Sequence, residues 1–343
     1  MSTDTHLLDL SAVSAYLTEH LPGFSGPLTA EKFQVGQSNP TFQLKTPERN
    51  YVLRRKPAGV LLKSAHAVDR EFRIQQALAE TAVPVAPMHL LCQDQTIIGS
   101  DFYIMDMMQG RNFNLPTLED VSKADRSLVL DDMNRILAAL HDVDIDAVGL
   151  SDYGPMGNYF ERQIGRWSKQ YHATETGSIP AMDQLIANLQ QHLPADDGQR
   201  TLVHGDYRID NMIFANDSPH CVALLDWELS TTGHPYADLA AVIMQWQMPA
   251  DLKGRGLEGI DRHALGLPTD EEFVASYCER RRIRELSNFD FCVAFCFFRF
   301  AAVLQGVYKR ALDGNASNPE IGFGLAETIP LLAEHGLAAF DAQ

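Results

Sequence analysis

The chain is short of cysteine, short of basic residues and without a long apolar run, and each shortage excludes something. Its five cysteines (Cys92, Cys221, Cys278, Cys292, Cys296) form no CxxC pair and no zinc-finger spacing. That argues against a structural zinc or a disulfide framework and fits buried thiols in a reducing compartment. Lys and Arg number 28 against 45 Asp and Glu, a net charge of −17. So acidic a chain repels phosphate backbones and anionic lipid, so neither a nucleic acid nor a membrane surface is expected as partner. The longest apolar run, residues 291–298, falls far below the ~20 residues needed to span a bilayer. No basic-then-apolar leader opens the chain, and there is no internal repeat. The expectation is a soluble, cytoplasmic protein. What is present is a 45% hydrophobic content over 343 residues, enough for two or three compact units.

Charge is unevenly spread. Through Met108 there are 9 basic and 11 acidic residues, against 19 and 34 from Gln109 onward, net −2 and −15. Beyond solubility, the second field suits a cation, either a metal or a basic substrate. Periodicity divides the chain similarly. Leu7, Leu10, Val13 and Leu17 recur at helical spacing until Pro22-Gly23. Residues 31–35, 41–44 and 51–56 read as strands, and Ser64 can cap a helix running to about Glu80. Pro84 and Pro87 punctuate an extended segment, and residues 96–98 and 102–105 read as two further strands. After Gly110 helical stripes dominate (127–141, 156–171, 181–192, 289–312), with a strand-rich interruption at 201–203, 212–214 and 221–225. The fold class expected is α+β: a small antiparallel β-lobe over residues 1–108, ending in a linker, and a mainly helical lobe over 109–343. A cleft between two such lobes is a natural ligand site.

The chemistry is concentrated in Leu202-Val203-His204-Gly205-Asp206-Tyr207-Arg208-Ile209-Asp210-Asn211-Met212-Ile213. An apolar strand enters a polar loop and another leaves it, so Asp206 and Asn211 stand in a loop held at both ends. A carboxylate five residues before a carboxamide suits phosphoryl transfer. The first can accept a hydroxyl proton, while the amide oxygen coordinates a magnesium ion without adding charge. Fifteen residues later a strand ends in Asp226-Trp227-Glu228, and a carboxylate at a strand terminus can bridge a metal to triphosphate oxygens.

His204-Gly-Asp206-xxxx-Asn211 followed by Leu225-Asp226-Trp227-Glu228 resembles the aminoglycoside phosphotransferase family, a branch of the protein-kinase-like fold, over roughly residues 31–312. The resemblance implies ATP and magnesium as cofactors, Asp206 as catalytic base, and Asn211 and Asp226 as metal ligands. It makes His204 a brace for the loop, and Asp238 an acceptor of the loop's backbone hydrogens.

In the small lobe, strand alternation puts Val52 and Arg54 on one face, with Lys56 as a second candidate cation. Val52 would line the adenine and Arg54 would reach the phosphates, where the family usually has Lys. Glu71 stands on the apolar stripe of the next helix with Ile74 and Leu78, so it needs a partner, and Arg54 is expected. Gly36-Gln37-Ser38-Asn39-Pro40-Thr41 occupies the place of a phosphate-covering loop, where Ser38 and Asn39 could donate to phosphate. Met105-Asp106-Met107-Met108 would be the hinge, with Met105 and Met107 beside the adenine.

For the acceptor, Tyr159, Gln163, Trp167 and Gln170, flanked by Arg162 and Arg166, could wall a pocket, joined by Trp246 and Gln247. Arg299, inside Phe297-Phe298-Arg299-Phe300-Ala301-Ala302, must be paired with an internal Asp or with an acidic group on the substrate. The wording of the motifs is similar to the kinase-like domain joined to certain acyl-CoA dehydrogenases, which implies a hydroxyacyl-type acceptor. The alternatives are an aminoglycoside kinase, favoured by the acidic charge, and a nucleotide-binding pseudokinase acting through a partner. A protein substrate is disfavoured, because no Ala-Pro-Glu segment follows Asp226. The small-molecule hydroxyl acceptor and the oligomeric state stay open.

Overall fold

The computed structural model describes residues 8–33, 39–57, 67–250, 255–315 and 319–341. In chain order the elements are α1 (Leu10–His20), β1 (Thr29–Lys32), β2 (Thr41–Lys45), β3 (Asn50–Arg55), α2 (Val68–Leu78), β4 (Met88–Cys92), α3 (Gln95–Ile98) and β5 (Phe102–Asp106). Then follow α4 (Lys123–His141), α5 (Tyr159–Thr174), α6 (Pro180–Gln191), β6 (Thr201–Val203), β7 (Met212–Phe214), β8 (Cys221–Leu224) and β9 (Thr231–Gly233). The chain closes with α7 (Tyr236–Trp246), α8 (Arg262–Leu265), α9 (Asp270–Arg281), α10 (Phe289–Leu312), α11 (Pro319–Phe323) and α12 (Thr328–Asp341).

Two compact units divide the chain. The first comprises Met1–Asn112, Asp146–Leu150 and Asp210–Ser230, and the second Phe113–Ile145, Ser151–Ile209 and Thr231–Gln343. This differs from a single boundary after residue 108, because the hairpin β7–β8 belongs to the first unit. Arg111 and Phe214 exchange backbone hydrogen bonds at 2.7 and 2.8 Å, so the segment after β5 pairs with β7. Gly110 makes that approach possible: a Cβ there would fall 2.3 Å from the Phe214 carbonyl oxygen.

In the first unit a five-stranded antiparallel sheet has the order β1-β2-β3-β5-β4. Period-2 alternation sorts its side chains. Phe42, Leu44, Tyr51, Leu53, Phe102 and Ile104 pack with Val13 and Leu17 of α1, each buried apolar side chain contributing about 1.5–3 kcal/mol. The opposite face carries Tyr103 and Met105 against Val68 and Phe72 of α2. Alternation places Val52 and Arg54 there too, and the register pairs them with Met105 and Tyr103. The sheet is thus apolar on one side and able to hold a charge on the other.

Two local readings need correction. Residues 96–98 are helical, not a strand: Asp94 caps the turn by accepting from Thr96 N at 2.9 Å, and Gly99 ends it in the left-handed region. Besides β3, the strand that pairs with β5 is β4, in the stretch read as merely extended. Ser64, Ser38 and Gly36 lie outside the described residues; α2 begins at Val68 without a side-chain cap.

In the second unit β6, paired with β9, leads into the loop of interest. Helix α10 is the centre, packed against α5, α6, α7, α11 and α12. Its 24 residues are long and apolar enough to cross a membrane by composition, although no single apolar run is; two-thirds of its most apolar stretch is buried inside the protein.

Candidate active site

The first unit gathers three carboxylates around one guanidinium. Arg54 Nε lies 2.9 Å from Glu71 Oε2, and Arg54 Nη2 donates to Asp226 Oδ1 at 3.1 Å and Glu228 Oε2 at 3.3 Å. Glu71, on the buried stripe of α2, also accepts from the Asn39 amide at 2.8 Å and from the Tyr103 hydroxyl at 3.1 Å. Burial works against the Arg54 charge, but Glu71, Asp226 and Glu228 outweigh it and hold the guanidinium above its ordinary value. Burial pushes the Glu71 carboxyl up to about 7 against the pull of Arg54, with Glu228 and Asp226 adding to the rise. Lys56 is engaged elsewhere, 2.6 Å from Asp101 and 3.7 Å from Asp69, so Arg54 and not Lys56 meets Asp226. Asn39 is buried and its amide faces Glu71. Its position supports the ion pair, a role the phosphate-loop reading did not give it.

Asp226 follows β8 with φ 65° and ψ 57°, a left-handed conformation that Asp tolerates better than most residues and that is uncommon outside glycine. Trp227 clamps it from behind: the buried indole donates to Leu224 O at 2.9 Å, and the Trp227 carbonyl accepts from Ser230 Oγ at 2.5 Å. Asn211, buried, ends the 3-10 turn Ile209–Asn211. Its carbonyl accepts from Leu225 N at 2.8 Å, which ties it to the residue before Asp226. The Asn112 amide donates to the carbonyls on either side of it, Asp210 at 2.8 Å and Met212 at 2.9 Å. Sequence reasoning missed Asn112, Tyr103 and Glu228; for Tyr103 the signal was a polar tip on the buried face of a strand.

The donor set suits magnesium. Asp226 and Asn211 offer hard oxygens, two being the number a magnesium site built around substrate phosphates takes from protein. Among the described residues Asp226 is held through Oδ1 alone. One guanidinium faces three carboxylates, leaving negative charge for a divalent cation to offset. At the hinge, Val52 and Met105 are cross-strand partners. Met107 N donates to Asn50 O at 3.2 Å, so its amide is already used, while among the described residues the Met107 carbonyl and Met108 amide carry no backbone hydrogen bond.

The second unit holds the loop of Asp206. Asp238, fully buried on α7, accepts from His204 N at 2.6 Å and Gly205 N at 2.9 Å. Against the cost of burial, His141, His204 and these amides keep its carboxyl below the usual range, while burial lowers His141 against the pull of Asp238. His141 Nδ1 is 2.7 Å from the Tyr277 hydroxyl, and its Nε2 lies 3.6 Å from Asp238 Oδ2. His204 is wholly buried and its Nδ1 accepts from Asp206 N at 3.3 Å, the geometry of a brace. Tyr207 anchors the loop through Met133 O at 2.6 Å. The Asp206 carboxylate, 32% exposed, lies 3.2 Å from Arg208 Nε. Of the suggested acceptor wall, Trp246 is instead core, packed edge-on to Phe273 at 4.8 Å, and Gln247 donates to Asp270 at 3.0 Å.

These two sets of groups are those a protein-kinase-like phosphotransferase requires: a braced carboxylate on a loop between strands, a second carboxylate after a later strand, and a buried ion pair on the sheet. Residues 29–286 match the model of the phosphotransferase enzyme family APH, and the chain belongs to that family. It is 43% identical over 337 residues to mouse acyl-CoA dehydrogenase family member 11, covering 97% of this chain and 43% of that protein. The chain thus spans less than half the length of the curated relatives it matches. A crystal structure from Ralstonia eutropha JMP134, provisionally assigned as an aminoglycoside phosphotransferase, superposes with a TM-score of 0.89 at 44% identity, covering 97% of this chain and 98% of that one. Aminoglycoside phosphotransferase APH(4)-Ia, in ternary complex with AMP-PNP and hygromycin B, shares the fold with a TM-score of 0.62 at 16% identity, covering 96% and 98%.

Proposed function

We propose that the protein transfers the γ-phosphoryl group of ATP, with magnesium, to a hydroxyl of a small molecule. The observation that carries this reading is the single guanidinium of Arg54 bound at once to Glu71 of α2 and to Asp226 after β8, residues 155 positions apart in the sequence. An ion pair alone would need only Glu71. The extension to a strained, half-exposed carboxylate suits a site where a cation and phosphates are handled together.

Bound MgATP would supply the phosphoryl group and the charge that neutralises its oxygens. The chain's own groups do the rest. Asn211 and Asp226 would hold the metal, and Arg54, steadied by Glu71 and Asn39, would meet phosphate oxygens. Val52 and Met105 would flank the adenine. Asp206 orients the acceptor hydroxyl and takes its proton, its backbone fixed by His204 and, through the preceding residues, by Asp238. Positioning and charge neutralisation supply most of the rate. ATP use is supported by the AMP-PNP seen in APH(4)-Ia. A hydroxyacyl-type acceptor is supported by the acyl-CoA dehydrogenase names of the longer relatives; an aminoglycoside acceptor is favoured by the −15 charge of residues 109–343 and by the provisional assignment of the Ralstonia eutropha structure.

Asp206→Ala is expected to lower turnover by about 10²–10⁴-fold with nucleotide affinity within a few-fold of the parent, measured by ADP release and by calorimetry. An unchanged rate disposes of the assignment.

A further inference from the structure

Arg299 stands on α10 among buried Phe298, Ala301 and Ala302. In the structure its partner is not an aspartate. Nη2 donates to the carbonyl of Gly205 at 2.5 Å, and among the described residues no carboxylate lies within ion-pair distance. Among the described residues Arg55, Arg126 and Arg200 are likewise met only by carbonyls, whereas Arg54, Arg208, Arg262, Arg280 and Arg281 have carboxylate partners. Arg162 on α5 shares the condition. It donates to the carbonyls of Met156, at 2.9 Å, and Gly157, with no carboxylate among the described residues. Tyr159 joins the two helices: it opens α5, three residues before Arg162, and its ring packs edge-on to Phe295 of α10 at 6.4 Å. Burial pushes its hydroxyl up to about 12, while Arg299 and Arg162 pull against it. Gly205, which Arg299 contacts, immediately precedes Asp206.

A half-buried cation satisfied by one neutral carbonyl retains most of its five N–H donors, in a fork that matches carboxylate and phosphate oxygens. We propose that Arg299, assisted by Arg162, anchors an anionic group of the acceptor, so that the hydroxyl compound carries a carboxylate or phosphate and is not a polycation. This rests on the phosphotransferase reading and names its substrate class. A polycationic acceptor would bring like charges together beside the catalytic loop.

The test uses the full chain with ATP and magnesium on matched acceptors. A hydroxy acid is compared with its methyl amide, a hydroxyacyl-CoA with its neutral N-acetylcysteamine thioester, and an aminoglycoside is run alongside. The anionic member of at least one pair should be preferred by about 10–100-fold in kcat/KM, and the pair showing it tells carboxylate from phosphate. Arg299→Met should erase that preference, mainly through KM, while Arg299→Lys keeps part of it and Arg162→Met weakens it. If Arg299→Met slows charged and neutral acceptors equally, the residue only holds the loop and the proposal fails. It fails equally if the neutral members or the aminoglycoside are preferred. Transfer to no acceptor overturns the phosphotransferase reading and this inference together, whereas transfer without charge preference overturns this inference alone.

Discussion

Glu71 is 2% exposed and receives Arg54, Asn39 and Tyr103 on its two oxygens, yet burial, Glu228 and Asp226 push it from 4.5 to about 7. With its folded value above its unfolded one, the stability it contributes is full below pH 4.5 and is lost as pH rises through about 7. Glu71→Gln keeps the shape and removes the titration. Between pH 4.5 and 8 the parent should therefore lose on the order of 3 kcal/mol relative to that variant, read from urea unfolding across the pH range. A flat difference would mean that Arg54 keeps Glu71 ionised throughout. The pair itself was legible in the sequence, because an acid on the Ile74–Leu78 stripe and a base on the facing strand each needed a partner. Asn39 was legible only as a loop polar group, since an amide's partner 32 residues away leaves no periodic trace.

The loop from β6 to β7 is an element without regular structure, defined by what grips it. Asp238 takes the amides of His204 and Gly205, Arg299 takes the Gly205 carbonyl, and Gly205 itself has φ 84°. Asp238→Asn leaves one acceptor oxygen where two amides donate, and turns a donor toward the other. The expected cost is about 1–3 kcal/mol for the buried amide left unmade, with kcat lowered more than KM because the loop alone is disturbed. Thermal unfolding and steady-state kinetics check both; an unchanged melting point would mean that another acceptor replaces the carboxylate. Strong local signals made several elements legible: the Leu10–Leu17 stripe gave α1, and alternation gave β2, β3 and β5. The strand read at residues 96–98 failed because Thr-Ile-Ile favours β structure only until Asp94 and Gly99 cap a turn around it. Strand β9 was not seen, since Thr-Thr-Gly carries no alternation and exists by pairing with β6, 28 residues or more upstream.

At the scale of the molecule, the charge division after Met108 does not coincide with the packing division. The first compact unit reaches forward to claim Asp210–Ser230, a claim invisible to composition because it is made by backbone pairing and by one guanidinium. Leu224 N donates to Pro84 O at 2.8 Å, Arg111 and Phe214 pair, Asn112 grips the turn before β7, and Arg54 reaches Asp226 and Glu228. Cutting the chain after Asn112 therefore removes part of the unit and leaves Arg54 with Glu71 alone. A fragment of residues 1–112 should keep the sheet core of α1, β2, β3 and β5 yet show poor dispersion for the residues around Arg54 and Gly110. Adding a synthetic peptide of residues 210–230 in trans should sharpen those signals and raise the melting midpoint with the logarithm of peptide concentration, as mass action requires. An Asp226→Ala, Glu228→Ala peptide should bind more weakly, because one guanidinium would lose two carboxylates at once. If the fragment melts at the same midpoint with either peptide or none, the unit is complete without residues 210–230. Arg54 would then be organised by Glu71 alone, and the argument linking it to the metal-binding carboxylate would lose its structural basis.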